Sequence, residues 1–305
     1  MRILVTGSGG MLARDLVPVL SEQGHDVIGL VKQELDITDA KAVVNSIEKV
    51  TPDMVINCAA YSAVDSAESE QGSAFLLNGF AVQNLCLACQ RYNIALVHFS
   101  TDYVFDGKKQ RPYSIYDQPN PINTYGRSKL LGEKYVIWLL TRFFLIRTSW
   151  LFGLYGRNFV KTMLECGRSN EPVYVVDDQR GCPTWTQHLA QAVADLIVTH
   201  RYGIYHITNS DCTTWYDFAK EIFRLAKVNV EIIRSSSQEM KRPALRPHNS
   251  VLDDYPLAQV LGRGMPTWQE ALEQYLAEHQ RSFRGIGRIA LREGSSNFEG
   301  CAPDN

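Results

Sequence analysis

Short apolar runs alternate with helical stretches along the first half of the chain. The runs are typical of buried strands and lie at 2–6, 26–31, 53–57, 94–100 and 143–149. Between them, helical apolar spacing extends over 11–23, 38–50, 73–92 and 123–140. Continuous apolar strands separated by helices are typical of a parallel sheet that is covered on both faces. The pattern therefore predicts an α/β fold, a doubly wound parallel sheet of Rossmann type.

The alternation of strands and helices becomes less regular after about position 150. Loops are predicted at 153–157, 177–184 and 242–248, with helices near 186–199, 216–226 and 268–280. We therefore predict a first domain over 1–150 and a smaller, loop-rich lobe over 151–283, which can exchange segments with the first domain. The tail over 284–305 has several glycines and few apolar residues, so we predict that it is disordered.

Composition excludes several classes of protein. Of the 305 residues, 45% are apolar and 21% are charged, which are ordinary globular values. The net charge is −2, so the chain lacks the excess of basic residues that is typical of a protein that binds nucleic acid or an anionic membrane. Arg142 interrupts the most apolar stretch, 135–146, and the N-terminus lacks the apolar core of a secretion signal. We predict a cytoplasmic protein.

Cysteine and histidine usage gives no sign of a disulfide framework or a metal site. The seven cysteines are odd in number and scattered, and Cys86 and Cys89 lie within an apolar helical stretch that suits core packing. The seven histidines show no pairing at metal-ligand spacing. The prediction is that no metal is bound through these residues.

A glycine-rich turn joins the first strand to the first helix. Gly7, Gly10 and Ala13 form a G-x-x-G-x-x-A pattern at this junction. Glycines there allow a tight turn and the close approach of a pyrophosphate, and the helix that follows points its N–H groups at the phosphate. The context favours dinucleotide binding over a plain strand–helix turn, and no P-loop pattern is present.

The end of the second strand bears on the choice of cofactor. NAD enzymes often place an acid there to bind the ribose 2′-hydroxyl. This chain has Val31 and Lys32, about 25 residues past Gly7. Lys32 could pair with a 2′-phosphate, although a solvated surface lysine fits equally well. We predict that NADPH is preferred and that NADH is still used.

Tyr125 and Lys129 lie one helical turn apart, on the same face of a predicted helix. An ammonium group beside a phenol favours the phenolate, which suits acid–base chemistry. Chance placement produces such pairs, and Tyr216 with Lys220 is a second example. Only the first pair follows a strand that ends in hydroxyls, with Thr101 about 24 residues upstream. We therefore interpret the second pair as part of an ordinary amphipathic helix.

With these features the chain resembles the extended short-chain dehydrogenase/reductases, and within them the dTDP-4-dehydrorhamnose reductases, over nearly its whole length to about position 281. The most specific matches are the stretches Thr-Asp-Tyr-Val-Phe-Asp-Gly at 101–107 and Arg-Thr-Ser-Trp at 147–150. Further matches lie at 35–39, 57–65, 125–129, 178–184, 203–206 and 242–247. The resemblance implies NADPH-dependent reduction of the 4-keto group of dTDP-4-dehydro-L-rhamnose to dTDP-L-rhamnose.

The resemblance also implies a role for individual residues. Tyr125 would donate the proton, and Thr101 would hydrogen-bond the reacting carbonyl. Lys129 would adjust the pKa of Tyr125 and bind the nicotinamide ribose. The implied cofactor-binding residues, taken with Lys32, are Gly7, Gly10, Met11, Leu12, Lys32, Asp36, Ile37, Ala59, Ala60, Tyr61, Ser62, Phe99, Tyr125 and Lys129. The implied substrate-binding residues are Val64, Thr101, Asp102, Tyr103 and Trp150. Trp150 would offer the sugar an apolar face, although a core residue at a strand end is the alternative.

Two other functions stay open. One is a 4-epimerase or 4,6-dehydratase of the same superfamily, although the dehydratases resemble Thr-Asp-Glu where this chain has Tyr103 after Thr101 and Asp102. The other is a non-catalytic subunit like the regulatory subunit of methionine adenosyltransferase, which shares the stretch at 102–107. Some members of the reductase family bind Mg²⁺ through carboxylates at a dimer contact. We find no matching acidic cluster, so Mg²⁺ and a homodimer both stay open.

Overall fold

The structure is a computed structural model that describes residues 1–169 and 171–286, with side chains as far as Arg281. The strands are β1 (Arg2–Thr6), β2 (Asp26–Leu30), β3 (Met54–Asn57), β4 (Ala95–Thr101), β5 (Phe143–Thr148), β6 (Leu151–Phe152), β7 (Val173–Val176), β8 (Arg180–Gly181), β9 (Thr184–Trp185), β10 (Gly203–His206), β11 (Thr213–Thr214) and β12 (Ile232–Ser235). The predicted strands of the first half are present, with ends shifted by no more than about one residue.

The central sheet has six parallel strands in the order β10-β5-β4-β3-β1-β2. β3 and β4 are buried along their whole length, as expected of strands covered on both faces. The predicted fold class, a doubly wound parallel sheet, is confirmed. The edge strand β10 comes from the second half of the chain, so that half contributes directly to the sheet.

Helices cover both faces of the sheet. They are α1 (Met11–Glu22), α2 (Ala40–Val50), α3 (Ser66–Ser69), α4 (Gln71–Phe75), α5 (Ala81–Arg91), α6 (Thr124–Leu139), α7 (Phe159–Cys166), α8 (Thr186–Ile197), α9 (Trp215–Ala226), α10 (Ser237–Met240), α11 (Leu257–Leu261) and α12 (Trp268–Ile286). α1 and α8 pack on one face of the sheet, and α2, α5 and α6 pack on the other.

Side-chain caps fix where two of these helices begin. Asp39 accepts hydrogen bonds from the Lys41 and Ala42 amides at the start of α2. Asn123 accepts a hydrogen bond of 2.7 Å from the Gly126 amide at the start of α6. The second cap sets the position of the first turn of α6, in which Tyr125 lies.

The helix predicted over 73–92 is not a single regular helix. A π-helical turn, Leu76–Phe80, lies between α4 and α5. The whole run Gln71–Arg91 is, among the described residues, the one helix long and apolar enough to cross a membrane by length and composition. Half of it is buried inside the fold, where it packs on α2 and α6. A core helix passes the same test, so this property is weak evidence for a membrane span.

The second half of the chain has its own apolar cluster, separate from those on the sheet. α7, α9 and α12 contribute to it, together with the two-stranded parallel sheet of β7 and β12. Very short pairs, β6 with β9 and β8 with β11, connect this part to the central sheet. α12 extends to Ile286. Of the tail predicted over 284–305, positions 287–305 lie outside the described residues.

Candidate active site

The candidate site lies at the carboxyl edge of the sheet, where the strand order reverses. From β1 the chain runs to β2 on one side, and then to β3 on the other side of β1. The helices that follow β1 and β3 therefore lie on opposite faces of the sheet, and open α/β sheets bind ligands outside the strand ends at such a point. The residues that were predicted to bind a cofactor follow β1, β2, β3 and β4 at this edge.

The glycine turn between β1 and α1 is held by backbone contacts. Gly7 has a φ of +64°, and the Gly10 amide donates to the Gly7 carbonyl over 3.0 Å. A Cβ atom on Gly7 would lie 2.7 Å from the backbone of Ala59 in the loop after β3. The turn thus needs glycine both for its conformation and for the close approach of two loops. Met11 and Leu12 form the first turn of α1 directly behind it.

The loop after β2 brings two carboxylates close to the strand end. The Glu34 carboxylate folds back and accepts a hydrogen bond of 2.9 Å from the Val31 amide. The amide and hydroxyl of Thr38 hold the pKa of Asp36 below its usual value, and Lys32 adds to the effect. Lys32 itself is exposed. The sequence analysis found no acid at this strand end, but the fold returns Glu34 to it.

The loop after β3 is tied to the π-helical turn by Asn78, which is fully buried. Its Oδ1 accepts from the Tyr61 amide over 2.8 Å, and its Nδ2 donates to the Tyr61 carbonyl and to the Ser128 hydroxyl. Asn78 therefore orients both the 59–62 loop and α6. Sequence reasoning missed this residue, and a buried asparagine inside an apolar helical run was the available signal.

Tyr125 and Thr101 lie next to each other, as predicted. The Tyr125 phenol is within hydrogen-bonding reach of the Thr101 hydroxyl. Burial raises the pKa of Tyr125, an ionised Asp102 raises it further, and the Thr101 hydrogen bond opposes both. The sequence analysis expected a pKa lowered by Lys129. In the protein alone burial dominates, and Tyr125 keeps its proton.

Lys129 is buried one turn further along α6. Burial lowers its pKa to about 8, while Glu133 and Cys58 act in the opposite direction. Its charge also helps to lower the pKa of His98 on β4, although burial of that histidine is the larger cause. The ammonium group thus lies among side chains at the ends of β3 and β4.

Asp102 is buried, as are the other residues predicted to bind substrate. It is 2% exposed, and its Oδ1 accepts a hydrogen bond of 2.9 Å from the Thr101 hydroxyl. Val64 and Tyr103 do meet near Tyr125, with the two tyrosine rings packed edge to face at 6.0 Å. The structure therefore brings Thr101, Tyr103, Val64 and Tyr125 together, with the Asp102 carboxyl hydrogen-bonded to Thr101.

A pocket of about 300 Å³ opens beside Tyr103 and is otherwise lined by residues of the second half of the chain. Its apolar wall includes Phe159, Met163, Val175 and Trp215. Polar and cationic side chains line another part of it, among them Gln179, Ser237, Lys241, Arg242 and Arg246. An apolar wall combined with several cationic groups suits a ligand that has an aromatic ring and phosphate groups.

Trp150 does not line this pocket, but the residue that it stacks on does. The rings of Trp150 and Trp215 are nearly parallel, with their centroids 3.5 Å apart. Trp150 is 7% exposed and has a φ of +49°, which is rare for a bulky side chain. Gly181 also packs against this ring, and a Cβ atom there would lie 2.4 Å from the indole. The structure thus places Trp215 at the pocket, with Trp150 behind it.

Asp65 links the loop after β3 to the cationic side of the pocket. Both of its carboxylate oxygens accept hydrogen bonds of 2.8 Å from Arg246, and Arg242 lies 3.5 Å away. Burial works against the charged form, but the hydrogen bonds from Arg246 and the Ala244 amide hold the pKa of Asp65 below its usual value. Val64, the neighbour of Asp65, is thereby fixed against Tyr103.

The described residues contain no group of three or more His, Cys, Asp or Glu side chains placed to hold a metal ion. What they do bring together is a glycine turn at a helix start, a buried lysine, and a tyrosine and threonine with adjacent hydroxyl groups. These features define a Rossmann-type oxidoreductase site of the short-chain dehydrogenase/reductase class.

A family model described as the RmlD substrate binding domain matches residues 1–281. The chain belongs to this family, and the resemblance stated from the sequence is confirmed. A dTDP-4-dehydrorhamnose reductase of Aggregatibacter actinomycetemcomitans is 42% identical over 289 residues, which is 90% of this chain and 98% of that protein. A dTDP-4-keto-6-deoxy-D-glucose reductase of Streptomyces niveus is 39% identical, over 88% of this chain and 91% of its own length.

Solved structures agree with these relatives. The dTDP-4-dehydrorhamnose reductase of Bacillus anthracis, determined in complex with NADP, matches with a TM-score of 0.88 and 38% identity, and covers 91% of this chain and 99% of its own. A UDP-glucose 4-epimerase of Thermus thermophilus, at 21% identity and a TM-score of 0.78, shares the fold.

Proposed function

We propose that this chain reduces the 4-keto group of dTDP-4-dehydro-L-rhamnose with NADPH and forms dTDP-L-rhamnose. The observation that supports this most strongly is the pair of adjacent hydroxyls, Thr101 and Tyr125, next to Tyr103, which lines the pocket. Relatives that carry this activity in their names are about 40% identical over most of the chain. A reductase needs such a pair because the carbonyl oxygen gains negative charge during the reaction.

The residues present fit a dinucleotide. The turn at Gly7 leaves no room for a Cβ atom, and α1 begins directly behind it, so a pyrophosphate can lie against the amides of Met11 and Leu12. Asp36 and Ile37 would border the adenine, and Lys32 would face a 2′-phosphate. When bound, the nicotinamide supplies a hydride to the carbonyl carbon. Ala60, Tyr61, Ser62 and Phe99 would border the nicotinamide.

The protein's own part of the chemistry is to supply a proton and to position the groups. Tyr125 keeps its proton until the carbonyl oxygen becomes basic enough to take it. Thr101 holds that oxygen, and Lys129, with its buried ammonium, would hold the nicotinamide ribose. Asp102 was predicted from the sequence to contact substrate, and its carboxyl group is hydrogen-bonded to Thr101.

We propose that the domain division follows the two parts of the site. Residues 1–150 would bind the dinucleotide, and the substrate lobe, 151–283, would bind the sugar nucleotide in the pocket that Trp215 and Arg246 line. β10 and α8, which pack in and on the central sheet, would be the exchanged segments. Trp150, at the boundary, would shape this pocket through Trp215.

We also propose a cytoplasmic location and a homodimer, with neither nucleic acid nor membrane as a partner. A dimer contact would cover the exposed apolar side chains on the π-helical turn, α5 and α6, which are Leu76, Phe80, Leu87, Ile137 and Trp138. Light scattering of the wild type and of Trp138→Glu tests it. A dimer that dissociates in the variant supports the contact, and a wild-type monomer contradicts it.

Oxidation of NADPH, followed at 340 nm with a panel of 4-keto nucleotide sugars, tests the function. We expect turnover with dTDP-4-dehydro-L-rhamnose, and product analysis should find the C4 configuration of dTDP-L-rhamnose. Absence of turnover with every 4-keto sugar, while NADPH still binds, would favour the non-catalytic regulatory subunit. Turnover without net NADPH oxidation would favour an epimerase.

A further inference from the structure

Asp102 is a buried carboxyl group that the proposed mechanism does not yet use. It is 2% exposed, and its Oδ1 lies 2.9 Å from the Thr101 hydroxyl. Its Oδ2 is buried and makes no hydrogen bond of normal geometry to any residue that the structure describes. A buried carboxylate with one oxygen left without a well-formed hydrogen bond costs more free energy than a neutral carboxyl group in the same place.

The hydrogen bonds of Thr101 show what the charge state of Asp102 controls. A threonine hydroxyl has one proton to donate and two lone pairs that accept. In the structure that proton goes to Asp102 Oδ1, and the Tyr103 amide donates to Thr101 Oγ1 over 3.2 Å. While Asp102 accepts this proton, Thr101 has none to give to a substrate carbonyl.

We infer that Asp102 acts in its protonated form as a positioning residue, donating to Thr101 Oγ1 so that the Thr101 hydroxyl turns its own proton toward the reacting carbonyl. Asp102 keeps its proton throughout, and only the direction of one hydrogen bond reverses. Tyr125 and Thr101 then both donate to the oxygen that gains charge. The inference rests on the proposed function for the identity of that carbonyl.

The surroundings of Asp102 favour its neutral form. Burial raises the pKa of Asp102 to about 7, although the nearby Ser250 hydroxyl and the hydrogen bond from Thr101 oppose the shift. The titratable groups that face it are Tyr103 in the same turn, Tyr125 on α6 and Cys182 after β8. A neutral Asp102 also removes a negative charge that would oppose the phenolate left on Tyr125 after proton transfer.

The pH profile of turnover tests this role. In the wild type we expect kcat to fall about tenfold per pH unit above about pH 7, as Asp102 ionises. Asp102→Asn carries an amide N–H that donates to Thr101 at every pH, so its descending limb should move to about pH 8, where Lys129 loses its proton. Asp102→Ala, which cannot donate, should lower kcat by about 10- to 100-fold across the range. Asp254→Asn, a change of an exposed carboxylate, should keep the wild-type profile.

A second measurement does not depend on the substrate. Titration of the carboxyl carbons by NMR, with the Asp102 signal assigned by its loss in Asp102→Asn, should show a midpoint near pH 7. A midpoint below pH 5 overturns the inference, and so does an Asp102→Asn variant that binds NADPH yet keeps a limb near pH 7. If the wild type turns over no 4-keto nucleotide sugar, the proposed function fails, and the titration alone decides whether Asp102 is protonated at neutral pH.

Discussion

The cofactor side and the substrate side of the site are held together by different kinds of contact, one between backbone atoms and the other between side chains. On the cofactor side, the turn at Gly7 is shaped by backbone contacts, because it packs directly on the backbone of Ala59. On the substrate side, the pocket is shaped by side-chain contacts, which are the stacked rings of Trp150 and Trp215 and the ion pair of Asp65 with Arg246. Where backbone packs on backbone, a single added methyl group forces the loop to move. Where side chains pack together, removal of one side chain lowers the affinity for the ligand only in part.

Loss of the Tyr125 hydroxyl should have the largest effect, because the reaction on both sides of the site depends on it. Tyr125→Phe keeps the ring's packing and removes only the proton donor. We expect kcat to fall by about 10²–10⁴, the usual contribution of a general acid, with the Kd for NADPH nearly unchanged. Steady-state kinetics and fluorescence titration measure the two quantities.

Tyr216 provides the matched control for Tyr125, because it has the same spacing to a lysine. In the structure its ring lies under the Arg234 guanidinium, 4.5 Å from ring centroid to Cζ, and Lys220 is exposed. Tyr216→Phe should leave kcat almost unchanged. Near-normal turnover in Tyr125→Phe, or loss of turnover in a folded Tyr216→Phe, contradicts the assignment.

An added methyl group on the cofactor side should have the next largest effect. In Gly7→Ala the new Cβ would lie 2.7 Å from the Ala59 backbone, and the residue would keep a φ of +64°. The loop must shift, so we expect the Kd for NADPH to rise by about 10- to 100-fold, which is about 1.4–2.7 kcal/mol. Isothermal titration calorimetry measures it.

Gly24→Ala separates conformational strain from the close approach of the loops. Gly24 has a φ of +83°, but a Cβ atom there would meet nothing within 4 Å. The variant should lose stability through backbone strain alone and bind NADPH as the wild type does. If both variants weaken NADPH binding equally, the contact between Gly7 and Ala59 is not what the cofactor side requires.

The backbone-built side was also the easier one to predict. The strand before Gly7 and the helix that begins at Met11 are specified by local apolar pattern, so their ends were placed within a residue or so. The pairing of Tyr125 with Thr101 followed from the same logic, because parallel strands bring the segments that follow them to one edge of the sheet.

Features that depend on contacts distant in the sequence could not be found in the same way. The π-helical turn at Leu76–Phe80 fits against α6, where a Cβ atom on Gly132 would lie 2.3 Å from the Asn78 carbonyl. No local pattern encodes that approach. Trp150, which has a left-handed backbone, likewise stacks on Trp215, which lies 65 positions further along the chain. Burial also raises the pKa of Tyr125, and the spacing of Tyr125 to Lys129 in the sequence does not show how deeply the phenol is buried.

Truncation of the tryptophan stack should give an intermediate effect that shows which ring faces the ligand. Trp215→Ala should raise the KM for the sugar nucleotide about tenfold, since an aromatic ring stacked on a base is worth about 1–3 kcal/mol. Trp150→Ala should raise the KM less and lower the free energy of unfolding by about 3–5 kcal/mol, as a buried ring is lost. Both should leave the Kd for NADPH intact. Equal loss of both affinities in either variant would mark that residue as purely structural.

The smallest expected effect concerns the choice between NADPH and NADH. Lys32 is exposed, so its attraction for a 2′-phosphate is screened by solvent, and Lys32→Ala should reduce the preference for NADPH by only about two- to fivefold. Glu34→Gln should shift the preference the other way, because the carboxylate held at the Val31 amide repels the same phosphate. The ratio of kcat/KM for the two cofactors, measured at low and high salt, compares the variants. A wild type that already favours NADH would show that Glu34, and not Lys32, decides the charge at this strand end.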